Sequence, residues 1–192
     1  MKLRIFAAAV AAVLLAAGSA PAASGLKTAV FAGGCFWSME KAMEHVPGVR
    51  DVVSGYAGGR STHPTYQNHE GFLEAVKVTY DPAKISYAGL VGSFFHNIDP
   101  TDRDGQICDR GPTYRTAVFV ADPQEQAAAD GVKRKIAQTL RRPVATEVRP
   151  ASSFYMAEAY HQDYAKRNPE AYEAYRIGCG RDRALKAIWG GR

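Results

Sequence analysis

Cysteine is scarce in these 192 residues. There are three, Cys35, Cys108 and Cys179, and no two stand as Cys-x-x-Cys. Without a close pair, a structural zinc site has too few neighbouring ligands. Concentrated positive charge is also lacking. The 24 lysines and arginines exceed the 19 acidic residues, giving a net charge of +5, but they are scattered rather than interleaved with aromatics. That pattern makes no case for nucleic acid, and the clusters Arg141-Arg142 and Arg181/Arg183 read as solvated faces. Beyond residue 17 no long apolar run occurs, so nothing there is a candidate for a membrane span. There is no internal repeat, low-complexity segment or linker. What remains is an ordinary globular composition, 46% hydrophobic and 22% charged. Its length suits one domain with a sizeable core.

The first residues read as an address. Lys2 and Arg4 precede the apolar stretch 5–17, and Ala20-Pro21-Ala22 has the small-x-small form of a cleavage site. The expectation is a signal peptide over 1–22 and a mature domain over 23–192, exported to the periplasm without stable membrane association. In an oxidising compartment, three cysteines allow one bridge with one thiol left over. They also allow a disulfide that cycles, and the surroundings of Cys35 favour the cycle.

Those surroundings organise the chain. Val30-Phe31-Ala32 runs into Gly33-Gly34, then Cys35, then Phe36-Trp37 and a helical stretch to His45. The cysteine thus sits where a strand ends and a helix begins. Glycines let backbone approach whatever the thiol meets. A helix N-terminus presents amides and partial positive charge, which favours thiolate over thiol.

In order, strands are expected over 28–32, 49–56, 73–80, 115–121 and 144–148, and helices over 36–45, 87–97, 123–140 and 154–167. The stretches 60–70 and 99–112 are long polar loops, which in a compact domain are usually functional. From Glu170 onward the glycine-bearing text reads as an irregular tail, with a short helix near 183–188. Helices and strands alternate only in part. This indicates an α+β domain with a mixed sheet and packed helices.

Cys35 is the candidate nucleophile. The five histidines, His45, His63, His69, His96 and His161, read as surface or capping residues. Glu74 lies in a strand that should be partly buried. A carboxyl in apolar surroundings has a raised pKa and serves as a general acid near neutral pH. Tyr66 and Tyr114 lie in or beside the two long loops and offer neutral donors to an oxygen atom. Asp109 shares a loop with Tyr114. Cys179, within Gly178-Cys179-Gly180, is placed to act as a resolving thiol. Cys108 is open between packing and resolving.

Taken together, Gly34-Cys35-Phe36-Trp37, Pro47-Gly48-Val49 and Gly55-Tyr56-Ala57-Gly58-Gly59 resemble the A-type peptide methionine sulfoxide reductases. So do Pro64-Thr65-Tyr66, Glu74-Ala75-Val76, Tyr80-Asp81-Pro82, Asp109-Arg110-Gly111 with Tyr114-Arg115, and Ala157-Glu158 with His161-Gln162-Asp163-Tyr164. The resemblance covers about 28–169 and implies a ferredoxin-like α/β sandwich. It implies reduction of the S epimer of methionine sulfoxide, free or in proteins, without metal or bound cofactor; the protein itself is expected to be a monomer. Cys35 would attack the sulfoxide sulfur, Glu74 would protonate its oxygen, and Tyr66 and Tyr114 would hydrogen-bond that oxygen. Asp109 would order the polar site, and Phe36 and Trp37 would cage the S-methyl group. Cys179, or Cys108 in its place, would resolve the sulfenic acid as a disulfide for a thioredoxin-like dithiol to reduce. The sequence departs from the family at Gly71-Phe72-Leu73, where many members have Gly-His-Ala, and in lacking a cysteine soon after Asn168-Pro169. Two other readings use the same residues: a thiol peroxidase, and a non-catalytic module that binds thioether-bearing peptides.

Overall fold

The computed structural model describes residues 25–190; the expected signal peptide lies outside them. Strand β1 (Lys27–Gly33) leads into helix α1 (Phe36–Glu44), then β2 (Val49–Ala57), β3 (Leu73–Tyr80) and α2 (Tyr87–His96). The second long loop is not bare. It holds a small hairpin, β4 (Gly105–Gln106) with β5 (Asp109–Arg110), and a 3-10 turn over Pro112–Tyr114. Then come β6 (Thr116–Val120), α3 (Pro123–Leu140), β7 (Glu147–Pro150), β8 (Phe154–Met156), α4 (Tyr164–Arg167), α5 (Pro169–Cys179) and α6 (Arg181–Trp189).

Six strands form one sheet in the order β7-β6-β1-β3-β2-β8, antiparallel throughout except for β6 beside β7. The segment β1-α1-β2-β3-α2-β6 has the β-α-β-β-α-β order of ferredoxin-like folds. The expected α+β class and mixed sheet are therefore what the structure contains. Alternation along the strands divides the burial. Phe31, Val76, Val78 and Val118 pack with Met39, Met43, Leu90, Phe94 and Ile136 of the helices. Ala32, Ala57, Leu73, Ala75, Ala117 and Phe119 form a second, smaller cluster. Phe31 stacks on Phe94 with centroids 5.0 Å apart.

Helix ends follow local chemistry. Ser86 Oγ accepts from the Gly89 amide at 3.1 Å. Asp122 Oδ1 accepts from the Glu125 amide, while Glu125 Oε2 accepts from the Ala121 amide, both at 2.8 Å. This reciprocal cap resembles a capping box.

Two expectations are corrected. The segment 154–167 is not one helix. Its start, β8, pairs with β2, Gly55 facing Met156. A Cβ on Gly55 would stand 2.3 Å from the Tyr155 carbonyl oxygen, so a bare glycine lets the edge strand close in. The tail is not irregular either. Pro169 opens α5, and Gly180 at φ +65° turns the chain into α6, the proline-in, glycine-out signature of a helix. Tyr172 of α5 is buried, and Trp189 of α6 donates its indole N–H to the Ile98 carbonyl at 3.0 Å.

Candidate active site

Antiparallel pairing brings the site to one end of the sheet. The end of β1 meets the starts of β3 and β6, with Phe31 opposite Val76 and Gly33 opposite Thr116. Cys35 follows β1, Glu74 begins β3, Tyr114 precedes β6, and Tyr66 lies in the loop before β3. Residues far apart in sequence are thereby gathered at one edge by backbone register.

Both glycines before Cys35 are required. A Cβ on Gly33 would lie 2.4 Å from Met39 Sδ. Gly34 has φ +82°, and a Cβ there would lie 2.5 Å from Gln106 Cβ. Cys35 caps α1, its carbonyl accepting from the amides of Ser38 and Met39 at 3.1 and 3.2 Å. The thiol is free and buried. Burial first, then the charges of Glu74 and Asp109, push it up to about 12, while hydrogen bonding with Tyr175 and with the Ser38 amide pulls it down. The expected thiolate is therefore not the resting form here. The helix N-terminus contributes, but desolvation outweighs it, and the neighbouring carboxyls add to this wherever they are ionised.

Glu74 is 2% exposed, and its Oε2 accepts from the Phe36 amide at 2.9 Å. Burial, and to a lesser degree the charge of Asp109, raise it to about 8 against the pull of that amide. It is mostly a neutral acid at pH 7. Burial, followed by the nearby charge of Glu74, raises Tyr66 and Tyr114, so both remain neutral donors, and their side chains hydrogen-bond each other. Asp109 is raised by burial and accepts from the Tyr175 hydroxyl at 2.7 Å.

A cavity of about 170 Å³ brings together Cys35, Phe36, Trp37, Tyr66, Glu74, Asp109 and Tyr114. Its remaining lining residue, Tyr175, is one that sequence reasoning missed. The signal was present: Tyr172, Tyr175 and Cys179 stand at helical i, i+3, i+7 spacing. A second cavity of about 350 Å³ shares Tyr66 and is walled by Phe72 and Leu73, the residues that depart from the family pattern.

The aromatic wall is held from behind. The Trp37 indole stacks on Tyr164 at 3.7 Å and 7°, and its N–H donates to His161 Nδ1 at 3.0 Å. His161 is thus no surface histidine. It is 1% exposed, with its ring 4.8 Å from Phe36 and 4.6 Å from Tyr66. Glu158 ties the Tyr66 loop to the sheet, accepting from the Tyr66 amide at 2.9 Å and the Tyr56 hydroxyl at 3.0 Å. Glu40 joins α1 to β2 and the α4 region, accepting from Ser54 Oγ at 3.1 Å and the Asp163 amide at 3.2 Å.

Cys108 and Cys179 lie outside that cavity and are bonded to each other across 71 residues. Cys108 is next to Asp109, and Cys179 is one turn beyond Tyr175. The sequence left them as alternative partners of Cys35. The structure holds them as partners of one another, with Cys35 the thiol left over.

Comparison with known proteins places this geometry. The family described as peptide methionine sulfoxide reductase matches residues 27–192. A peptide methionine sulfoxide reductase MsrA 2 of Caulobacter vibrioides is 52% identical over 97% of both chains. One from Bacillus licheniformis is 45% identical over 84% of this chain and 93% of its own. Among solved structures, methionine sulfoxide reductase A of Corynebacterium diphtheriae superposes with a TM-score of 0.66 at 32% identity, covering 76% of each chain. Reduced Mxr1 of Saccharomyces cerevisiae gives 0.71 at 29%, covering 76% of this chain and 87% of its own. The chain belongs to the A-type peptide methionine sulfoxide reductase family.

Proposed function

We propose that Cys35 carries out this family's reduction of methionine sulfoxide here, acting on the S epimer, free or within proteins. The observation that supports it most directly is one small cavity combining a thiol, a carboxyl that is neutral at pH 7 and two tyrosine donors. The Cys35 sulfur attacks the sulfoxide sulfur. Glu74 protonates the oxygen, which Tyr66 and Tyr114 steady by hydrogen bonds as its charge changes. Phe36 and Trp37 wall the S-methyl group, and Asp109 orders the polar side. The S–S and S–O bonds at the substrate sulfur then break as the protonated oxygen passes to the Cys35 sulfur, so the products are the thioether and a Cys35 sulfenic acid. The 350 Å³ cavity beside Tyr66 takes residues that flank the oxidised methionine in a protein.

One of Cys108 and Cys179 attacks the sulfenic sulfur, releasing water and forming a disulfide with Cys35. The other then displaces Cys35 by thiol–disulfide exchange. The result has Cys35 free and Cys108–Cys179 bridged, the arrangement described above. All three cysteines are then accounted for, so the bridge needs an external dithiol, which we assign to a thioredoxin-like protein. Electrons come from thiols at every step, so the sequence of steps requires no metal and no bound cofactor. Every group it uses belongs to one chain, in keeping with a monomer. The leader-like residues 1–22 support export to the periplasm as a mature domain from residue 23.

The test is turnover with dithiothreitol on separated epimers. The S sulfoxide is consumed and the R sulfoxide is not, and Cys35→Ser abolishes turnover. Activity that survived this substitution would overturn the assignment of Cys35. Turnover of hydrogen peroxide well above that of the sulfoxide would favour the peroxidase reading.

A further inference from the structure

Helix α5 grips one dipeptide twice. Its last residue, Cys179, is bonded to Cys108. One turn earlier, its Tyr175 hydroxyl donates to the carboxylate of the next residue, Asp109, at 2.7 Å. The same hydroxyl is within hydrogen-bonding contact of the Cys35 side chain and lines the cavity that holds it. The ring is fixed edge-on to Trp37, with centroids 6.3 Å apart at 88°. Tyr66 and Tyr114 hydrogen-bond each other. Tyr175 is the tyrosine set between the nucleophile and a carboxylate.

That position answers a difficulty raised by burial. Cys35 is a thiol in this state, and Glu74 is committed as an acid to the sulfoxide oxygen. Something else must take the thiol proton inside a small, buried cavity. We propose that Tyr175 is a further catalytic residue: its hydroxyl bridges the Cys35 sulfur and the Asp109 carboxylate and relays the thiol proton to Asp109 as Cys35 attacks. The inference rests on the reductase reading. The Cys35 S–H bond breaks and its proton moves to Tyr175 Oη, while the proton that Tyr175 held moves to Asp109 Oδ2. Tyr175 ends neutral and no electron is exchanged with it. The electron pair left on Cys35 forms a bond to the sulfoxide sulfur. That S–S bond and the S–O bond then break as the hydroxyl, carrying the proton from Glu74, passes to the Cys35 sulfur. The substrate sulfur thus leaves with two more electrons as the thioether, and Cys35 is oxidised by two to the sulfenic acid. The step leaves Asp109 protonated and Glu74 ionised, and exchange with solvent resets both. A hydroxyl shared between donor and acceptor is suited to this transfer, since each proton moves only one hydrogen-bond length.

Other groups act on the same sulfur or on Asp109. Glu74 comes from β3 and the Ser38 amide from α1. Tyr66 and Tyr114 stand on the loop side. Tyr172 comes from α5, and Arg181 of α6 acts on Asp109. None of these groups bridges Cys35 and Asp109 through one atom.

The test is Tyr175→Phe in the full chain, which keeps the ring against Trp37 and removes only the hydroxyl. Single-turnover formation of the Cys35 sulfenic acid from the S sulfoxide is measured against pH. The relay requires a loss of about tenfold or more near pH 7, with the half-saturating sulfoxide concentration unchanged. The ratio of variant to parent rate must climb towards one at alkaline pH, where hydroxide removes the thiol proton directly. Asp109→Asn must show the same pH-dependent loss, and the double variant must lose little more than either alone. If Tyr175→Phe does not fold, Asp109→Asn decides by the same profile. A parental rate and profile in Tyr175→Phe would overturn the relay, and so would a loss equal at every pH, which marks packing alone. If the parent itself fails to consume the sulfoxide, the reductase reading falls rather than the relay.

Discussion

At the scale of single residues, the site works by setting two neighbouring groups to opposite tasks through burial. Glu74 has an ordinary carboxyl in an unusual place. Its apolar surroundings raise its pKa to about 8, so it holds a proton at neutral pH, as the acid proposed for the departing oxygen must. The sign follows directly. A raised carboxyl is protonated below its pKa and ionised above it, so sulfenic acid formation should lose its acid as pH rises through about 8. Glu74→Gln keeps an N–H donor but has no proton to give. It should slow that step by roughly a hundredfold to ten-thousandfold and remove the alkaline limb centred near 8. An alkaline limb unchanged in Glu74→Gln would assign the acid to another group. Glu74 stood out in the sequence as an acid inside the apolar run Leu73 to Val78, whose strand could turn it to solvent or to the interior; the fold turns it to the interior. Its neighbour Cys35 was legible as the nucleophile but not in its ionisation. The helix N-terminus is a local feature, whereas the burial that outweighs it comes from the folded chain around the thiol, and the two nearby carboxyls come from β3 and β5.

At the scale of elements, the difference between local and long-range information recurs. The strand, two glycines, cysteine and helix were readable because each is fixed by its immediate neighbours. The edge strand β8 was not, since its conformation depends on Gly55, far earlier in the chain. Nor was α5, where Gly178 and Gly180 suggest a loop. A side chain at Gly178 would meet only open space, and a helix held by Tyr172 and Cys179 tolerates the glycine at a cost of about 1 kcal/mol. His161 reads as a surface residue until Trp37 and Phe36 are folded around it. The pairing of Cys108 with Cys179 makes the order of thiol attack an experimental question with a clean answer. After one turnover without reductant, the first attacker forms a bond to Cys35 that persists when the second is missing. If Cys108 attacks first, Cys179→Ser should accumulate a Cys35–Cys108 bridge, and Cys108→Ser should leave the sulfenic acid open to dimedone. If Cys179 attacks first, the two variants should exchange these outcomes. Peptide mapping by mass reads either, and a parent that showed no Cys108–Cys179 bridge after turnover would remove the second exchange altogether.

At the scale of the whole molecule, the Cys108–Cys179 bond spans 71 residues of sequence separation, including β6, α3, β7 and β8. Joining the ends of so long a segment removes freedom from the unfolded chain, which the loop-entropy relation puts at about 4 kcal/mol. For a domain of this length that corresponds to a rise in melting temperature on the order of 10 °C. The oxidised protein should therefore melt well above the reduced one. Cys108→Ser should melt at the lower temperature under both conditions, and equal midpoints for oxidised and reduced parent would contradict this. The bond that would close each oxidative half-cycle is in this sense also a preservative. A copy that has spent its thiols is harder to unfold, and so harder for a protease to destroy, than a copy ready to work. When reductant runs short the idle pool would be kept rather than lost, and repair could resume without new synthesis.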